Sequence, residues 1–118
     1  MSAIALRRQL TAGNINFNPC EIELTRTIKQ DGGLRLNKSV LSSQTVRIYL
    51  AGRGSRVVVS EGIDMVSMDL GMLCKWDADI MSGDTFELNS KQYEIIKVVE
   101  VGYLGEVVAK QCEIRELE

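Results

Sequence analysis

The sequence predicts a mainly β fold: a small SH3-like β-barrel with one short N-terminal helix and one long loop excursion at residues 51–75. Two observations support this prediction. Residues 83–117 contain three runs rich in β-branched and aromatic residues, separated by two turn signals, as in a three-stranded meander. Upstream, apolar residues recur at every second position, as in half-buried strands. We expect roughly five to seven strands, closed into a barrel that leaves few strand edges unpaired.

The length and composition are those of one globular domain, residues 1–118. We divide it into an N-terminal helix, residues 1–14, and a barrel, residues 17–117. Apolar residues make up 45% of the chain and charged residues 25%, as in folded domains with a water-exposed surface. The sequence contains neither a signal-peptide pattern nor an apolar run of membrane-spanning length. We therefore expect a cytoplasmic protein.

The N-terminal segment predicts a short amphipathic helix followed by a strand. Apolar residues surround Arg7 and Arg8, and Gly13 marks the end of the helix because glycine favours the left-handed C-terminal cap. Pro19 separates the helix from a strand with one apolar face, formed by Ile22, Leu24 and Ile28. Arg26 interrupts that face, and we expect it to reach the edge with its guanidinium in water.

The middle of the chain predicts a hairpin, a third strand and the excursion. Asp-Gly-Gly at residues 31–33 is a turn signal, and the polar residues 37–44 weaken the pattern after a brief return strand. The third strand is alternating, with Val46, Ile48 and Leu50 on one face. Residues 57–59, all valine, suggest a short strand. Helical spacing then predicts a short helix through Ile63, Val66, Leu70 and Leu73.

The meander supplies the candidate core. Phe86 and Leu88 share a strand face, and residues 89–91, Asn-Ser-Lys, tolerate the backbone of a tight hairpin. A long strand follows, and residues 102–105 turn the chain into the last strand. Period-two spacing continued through the first turn predicts one packed surface made of Phe86, Leu88, Tyr93, Ile95 and Val99.

The residues that usually carry catalysis or bind metals are scarce. The chain has no His and three widely spaced Cys, so we expect buried free thiols, no enzymatic activity, no catalytic residues and no cofactor. Three aspartates lie within residues 77–84, but Met81, Ser82 and Leu88 occupy positions where a calcium loop needs an oxygen ligand, Gly and Glu. We therefore expect a solvated turn there, not a metal site.

Charge is divided unevenly along the chain. Residues 1–59 contain nine Lys and Arg and three Asp and Glu, a net charge of +6, whereas residues 60–118 contain five and thirteen, a net charge of −8. One interpretation is that both signs mix on one folded surface. The other is that opposite faces meet in a head-to-tail contact between subunits.

The order of these features resembles that of the bacteriophage head-closure proteins, the stoppers or head-tail connectors of tailed phages and PBSX-type prophages. The matching segments are residues 18–27, 31–33, 44–49 and 76–80 and the meander of residues 83–117. The resemblance implies a structural protein of virion assembly. Its copies would form a ring, usually a dodecamer, below the portal and adaptor proteins, and would offer the far face to a tail-completion protein, with no membrane contact.

The resemblance also implies that loops in the ring lumen retain packaged DNA until ejection. By position, we assign the lumen or gating loop to residues 52–72, with the candidates Gly52, Arg53, Gly54, Arg56, Met65, Met68 and Met72. Residues 31–44 are the second choice. The methionines suit an adaptable contact surface, and equally the filling of an irregular core.

Arg47, Arg53 and Arg56 are candidates for sequence-independent contact with DNA phosphates. The alternative is a solvated basic turn, because aromatic residues do not interleave with these arginines. Two other functions stay open: a non-phage β-barrel adaptor that binds a protein or peptide, and a general nucleic-acid-binding barrel.

Overall fold

The computed structural model describes residues 2–30, 35–50, 57–60, 63–66 and 70–117, with the backbone alone for residues 28–30, 35–37, 57–60 and 63–66. The predicted fold class is confirmed: the chain is mainly β, with one short N-terminal helix and a curled antiparallel sheet that forms a half-barrel. Within the described ranges, no helix has both the length and the apolar character needed to cross a lipid bilayer.

Helix α1 spans Ala3–Phe17 and is longer than predicted. Ser2 caps its N terminus, because the Oγ of this residue accepts a hydrogen bond of 3.0 Å from the N–H three positions further on. The sequence predicts an end at Gly13, but the helix continues for one more turn. Ile15, in that turn, is fully buried, and its burial outweighs the cost of about 1 kcal/mol for a glycine within a helix. Pro19 follows the helix closely and prevents its continuation.

Ten strands follow the helix in the described part of the chain. They are β1 (Cys20–Ile22), β2 (Thr25–Gln30), β3 (Arg35–Val40), β4 (Gln44–Leu50), β5 (Val57–Ser60), β6 (Ile63–Val66), β7 (Leu70–Lys75), β8 (Thr85–Leu88), β9 (Lys91–Tyr103) and β10 (Glu106–Leu117). Eight of them form the main sheet in the order β1-β4-β7-β10-β9-β8-β2-β3. The predicted meander is confirmed as β8-β9-β10.

One continuous piece of chain joins the two ends of the main sheet. β1 pairs with β4, at one end of the strand order. β2 begins just after β1 and pairs with β8 through Thr25 and Thr85, near the other end. Because one chain segment is hydrogen-bonded at both ends of the order, the sheet has to curl. β1 and β8 consequently lie side by side, although they form no ladder pair among the described residues.

Residues 51–69 are an insertion between β4 and β7. Its strands β5 and β6 pair with each other in a separate two-stranded sheet, so the short strand predicted at residues 57–59 is confirmed. The predicted helix is wrong, since its positions belong to β6 and β7. β7 pairs with both β4 and β10, and two hydrogen-bonded ladders with distant strands outweigh a local spacing pattern.

The core of the half-barrel is one cluster of buried side chains: Ile22, Leu24, Val46, Met72, Cys74, Ile80, Phe86, Ile95, Cys112 and Ile114. The prediction is confirmed for Phe86 and Ile95. Leu88 and Tyr93 are partly buried against the cluster, and the rings of Phe86 and Tyr93 stack with centroids 5.3 Å apart. Val99 is the exception, because it is 44% exposed.

A β-bulge explains why the prediction for Val99 is wrong. Ile95 and Lys97 pair with two consecutive residues of β10, so Ile96 between them has no partner in the ladder. One extra residue reverses which positions of a strand face inward. Beyond the bulge, Val98 packs against the core and Val99 points outward.

Both hairpins of the meander turn where the sequence predicts. Asn89 and Ser90 have φ angles of 52° and 66°, and Leu104 and Gly105 have φ angles of 53° and 81°. Two consecutive residues with positive φ are the pattern of a type I′ turn, in which Asn-Gly is favoured. Leu104 is therefore the strained residue of the second turn, since a leucine rarely adopts this conformation.

Replacing Leu104 with asparagine should stabilise the protein by roughly 0.5–1 kcal/mol, because it relieves the strain and creates the favoured Asn-Gly turn. Leu104 is exposed, so little packing is lost. Urea unfolding should show a higher midpoint for Leu104→Asn than for the wild type. Leu104→Ala, which removes the side chain but keeps the strained φ, should show no comparable gain. A lower midpoint for the asparagine variant would contradict the assignment.

Gly71 in β7 is required by a close approach of Tyr49 in β4. The two residues are directly paired, and a Cβ atom on Gly71 would clash with the Tyr49 ring. Burial of the ring also raises the pKa of Tyr49 above its ordinary value. The aromatic ring therefore covers the glycine and supplies the packing that a side chain at position 71 otherwise provides.

Candidate interaction surfaces

Arg8 holds α1 against the main sheet. Its Nε donates a hydrogen bond of 3.0 Å to the carbonyl oxygen of Val107 in β10. Its guanidinium lies 3.7 Å from the ring centroid of Trp76 and pairs with the carboxylate of Glu106 at 3.6 Å. Ile15, two turns later, is fully buried. These contacts fix the rotation of α1 about its own axis, so the opposite face of the helix points away from the sheet.

Two further arginines lie at the ends of α1. Arg47 of β4 donates from Nη1 to the carbonyl oxygen of Asn14, at 3.2 Å, and to the Oδ1 of the same residue. Its guanidinium stands 5.6 Å from the ring centroid of Phe17. Carbonyl groups near a helix C terminus favour such a cation. Arg7, nearer the N terminus, lies 4.5 Å from the ring centroid of Tyr103.

The outward face of α1 carries a row of apolar residues, which we call the α1 seam: Ala3, Leu6, Leu10, Gly13 and Phe17. Their spacings alternate between three and four residues, as in the contact face of a coiled-coil helix. Leu6 is 49% exposed, Leu10 60% and Phe17 82%. Large apolar side chains that line up on one exposed face indicate a surface for contact with another molecule.

A groove of about 660 Å³ lies between β1 and β8, and we call it the β1–β8 groove. Its apolar lining includes the buried Ile22 and Phe86. Three exposed glutamates also line it: Glu21, Glu23 and Glu87. No Lys or Arg of the described ranges lines the groove, and the neighbouring Lys91 pairs with Glu116 at 3.7 Å. The groove is therefore lined by acidic, polar and apolar residues, with no cation among the lining residues of the described ranges.

A loop, residues 76–84, is tied to the barrel by a buried ion pair. Asp84 is 1% exposed and accepts two hydrogen bonds from Arg26, at 3.0 Å from Nε and 2.8 Å from Nη2. Arg26 also donates from Nη1 to the Oδ1 of Asp79 at 3.0 Å. The Oδ2 of Asp84 accepts a further bond of 2.9 Å from the N–H of Met81. One guanidinium thus joins β2 to two of the three carboxylates of the loop, those of Asp79 and Asp84.

A second set of contacts holds the same loop. Gln44 donates to the carbonyl oxygen of Asp79 at 2.9 Å and accepts from the N–H of that residue at 3.1 Å. Lys110 donates to the carbonyl oxygen of Ala78 at 2.8 Å. Ile80 extends into the core cluster. The loop is therefore packed and hydrogen-bonded as an integral part of the half-barrel.

These contacts correct two predictions from the sequence. Arg26 is not an edge residue with its guanidinium in water, since hydrogen bonding to Asp84 holds it inside and raises its pKa. Residues 77–84 are not simply a solvated turn, because Asp84 is buried. The carboxylates of the loop neutralise Arg26. Among the described residues, no group of three His, Cys, Asp or Glu side chains is placed to hold a metal ion.

All three cysteines are free thiols. Cys74 and Cys112 are buried on the neighbouring strands β7 and β10, as predicted. The hydrogen bond with Cys112, together with burial, raises the pKa of Cys74. Burial raises the pKa of the half-buried Cys20 as well. A thiol with a raised pKa stays protonated at neutral pH and is a poor nucleophile.

Met72 must be removed from the predicted lumen residues. It is fully buried in the core, in a strand paired on both sides, and a side chain packed inside the half-barrel does not face a ring lumen. Met65 lies in β6. The other members of that prediction lie outside the described residues: Gly52, Arg53, Gly54, Arg56 and Met68.

The three arginines predicted to face DNA are distributed differently. Arg47 is half-buried and bonded to Asn14 at the end of α1, so a phosphate contact would compete with these bonds. Arg53 and Arg56 lie outside the described residues. Within the described residues, the structure therefore shows no basic surface formed by these arginines.

Ion pairs join the basic first half of the chain to its acidic second half. Arg8 pairs with Glu106, and Arg26 pairs with Asp79 and Asp84. The two signs meet within one subunit, which agrees with the first of the two interpretations of the charge pattern. Within the described ranges, the groove glutamates and Arg7 take no part in these pairs.

No protein-family model matches this chain, and a comparison with curated proteins finds no significant match.

Proposed function

We propose that the protein is a head-closure protein, a stopper or head-tail connector, of a tailed bacteriophage or PBSX-type prophage. Its copies form a ring below the portal and adaptor proteins at the virion neck. The ring closes the DNA channel after packaging and offers a tail-completion protein its attachment surface. The α1 seam carries the proposal, because a small β domain with a row of exposed Leu and Phe side chains is suited to assembly. The resemblance over residues 17–117 supplies the phage context.

In this proposal, the insertion of residues 51–69 lines the ring lumen and contacts the packaged DNA without reading its sequence. The insertion leaves the main sheet after β4 and returns at β7, and its described strands pair only with each other. A displacement of hairpin β5–β6 therefore breaks no ladder of the main sheet. Opening the channel by moving such a segment costs less than opening the core. Residues 31–44 are the second candidate for the lumen.

We assign the protein no enzymatic activity. The chain contains no His. Arg26 is held in an ion pair with Asp84, and the two buried thiols, Cys74 and Cys112, are part of the core. Hydrolysis requires a base, a nucleophile and stabilisation of developing charge in one place. The surfaces described above are suited to binding.

Electron microscopy tests the proposal. Purified protein mixed with portal–adaptor complexes of the encoding phage or prophage should add a ring of density at the adaptor end. Complexes without added protein are the control. If saturating protein adds no density to intact complexes, the proposed function is wrong.

Deletion of hairpin β5–β6 tests the proposal that the insertion between β4 and β7 closes the DNA channel. Heads assembled with a variant that lacks residues 57–66 should still bind the ring but should lose packaged DNA, measured as nuclease-sensitive DNA in purified heads. Shortening the segment between β2 and β3, residues 31–34, is the matched comparison. Normal DNA retention after the first deletion and leakage after the second would move the gate to residues 31–44.

A non-phage adaptor domain is the alternative function. The β1–β8 groove favours it, because in a single copy this groove is open to a protein or peptide partner. The neighbouring genes separate the two functions. Portal, capsid and tail genes beside this one support the phage role, whereas an unrelated neighbourhood supports the adaptor.

A further inference from the structure

We propose that the α1 seam of one copy docks in the β1–β8 groove of the next copy, as a head-to-tail contact that repeats around the ring. The inference rests on the proposed function and deepens it, since it names the two surfaces through which neighbouring subunits meet. It does not involve the lumen insertion or the contact with the portal.

The charges of the two surfaces are complementary. α1 contains Arg7 and Arg8 and no acidic residue. Arg8 pairs within its own subunit, whereas Arg7 is exposed and has no carboxylate partner among the described residues. The groove offers three exposed glutamates and no lining cation. Opposite charge on two surfaces steers them together and fixes their register.

The apolar parts are complementary as well. The seam presents exposed Leu and Phe side chains, and the groove lining includes Val40, which is 67% exposed, and the partly buried Leu88. The groove volume of about 660 Å³ lies within the range of about 300–1,000 Å³ typical of ligand pockets. It is large enough to take apolar side chains from a helix. Burial of this exposed apolar surface is the main favourable contribution to such a contact.

A seam-to-seam contact between two copies is less favourable. It would place two helices side by side that each carry the exposed Arg7 and no carboxylate of their own, so like charges would lie close together. It would also leave the acidic groove empty. The heptad-like spacing of the seam is equally suited to packing in a groove, because a helix bound in a groove also contacts it through apolar side chains three and four residues apart.

The seam and the groove of one copy are on different elements. α1 packs against β4, β7 and β10, whereas the groove lies between β1 and β8. Each copy therefore carries one seam, on α1, and one groove, between β1 and β8. A contact between two different surfaces is heterologous, and it generates a closed ring when the rotation between copies closes.

A mixing experiment tests this contact. The seam variant Leu10→Glu places a negative charge where the acidic groove should bind, and the groove variant Glu21→Lys/Glu87→Lys reverses two of the groove charges. Sedimentation velocity is run at concentrations up to about 1 mM, which detects even millimolar affinity. The wild type should form oligomers larger than dimers. Each variant alone should be monomeric, and a mixture of the two should form a one-to-one dimer, because one intact seam and one intact groove remain.

Matched substitutions identify the charge contribution. Leu10→Lys removes the same apolar side chain as Leu10→Glu but carries the favourable sign, so it should self-associate at least roughly tenfold more strongly than Leu10→Glu. Glu100→Lys reverses an exposed charge outside the groove and should associate like the wild type. Circular dichroism should show the wild-type fold for all variants. If a variant does not fold, Leu6→Glu replaces it for the seam and Glu23→Lys for the groove.

The outcomes separate this inference from the proposed function. If the wild type assembles and the groove variant assembles equally well, the inference is wrong, while ring formation on the portal still stands. A wild type that stays monomeric at the highest concentration also overturns the inference, and the portal experiment then decides the function independently. A seam variant and a groove variant that stay monomeric when mixed would show that the two surfaces do not meet.

Discussion

Replacing Arg26 with methionine should destabilise the protein by about 3–5 kcal/mol, because the variant leaves a buried carboxylate without its cation. The carboxylate of Asp84 would keep only the hydrogen bond from the N–H of Met81. Asp79 would lose the guanidinium that ties the loop to β2. The free energy of unfolding, measured by urea titration at neutral pH and monitored by circular dichroism, gives the cost directly.

Asp84→Asn isolates the role of the buried charge. Asparagine keeps an oxygen that accepts from the N–H of Met81, so the double variant Arg26→Met/Asp84→Asn should be more stable than Arg26→Met alone. We expect a coupling free energy of roughly 0.5–3 kcal/mol between the two sites. Lys91→Met breaks the exposed pair with Glu116 and should cost less than about 1 kcal/mol. Equal costs for Lys91→Met and Arg26→Met would mean that the loop ion pair is no more important than a surface pair.

Replacing Phe86 with alanine should also cost about 3–5 kcal/mol, because a large buried side chain is removed and a cavity is left behind. The ring is buried in the core cluster and stacks on Tyr93. Thermal and urea unfolding of Phe86→Ala should both show a large loss of stability. An unchanged melting temperature would show that the ring is not a core residue.

Val99→Ala is the matched comparison for Phe86→Ala, since simple alternation along the chain predicts that Val99 and Phe86 lie on the same face of the sheet. The bulge at Ile96 places Val99 outside, so we expect a cost of less than about 1 kcal/mol. Val98→Ala should be more costly than Val99→Ala, because Val98 packs against the core. The reverse order would indicate that β9 has no bulge at this position and that its register differs from the one described.

The Arg26–Asp84 pair also bears on the groove. Arg26 lies in β2 and Asp84 directly precedes β8, so the pair joins the two strands at the place where they form only one ladder pair, Thr25 with Thr85. The groove lies beside this junction and includes Thr25 in its lining. The ion pair therefore helps to set the width of the groove. Arg26→Met should therefore lower the affinity of the groove for the α1 seam of another copy, as well as the free energy of unfolding.

The sequence by itself determined the fold class, the meander and most of the strands. The turn at residues 89–90 and the alternation in β4 are local properties, set by which residues tolerate positive φ and by the two-residue period of a strand. The core positions of Phe86 and Ile95 follow from the same alternation. The absence of His and the spacing of the cysteines are likewise read directly from the chain.

Only the tertiary structure decided the features that depend on distant partners. Leu70 and Leu73 continue a helical spacing that begins at Ile63, yet they lie in β7 because β4 and β10 offer hydrogen-bonded ladders on both sides. The bulge at Ile96 is invisible in the sequence, since it depends on the register with β10, and it moves Val99 to the surface. Arg26 and Asp84 are 58 positions apart in the chain. Their pairing, like the α1 seam and the groove, depends on which elements pack together, because burial and charge partnership are properties of the assembled fold and not of local spacing.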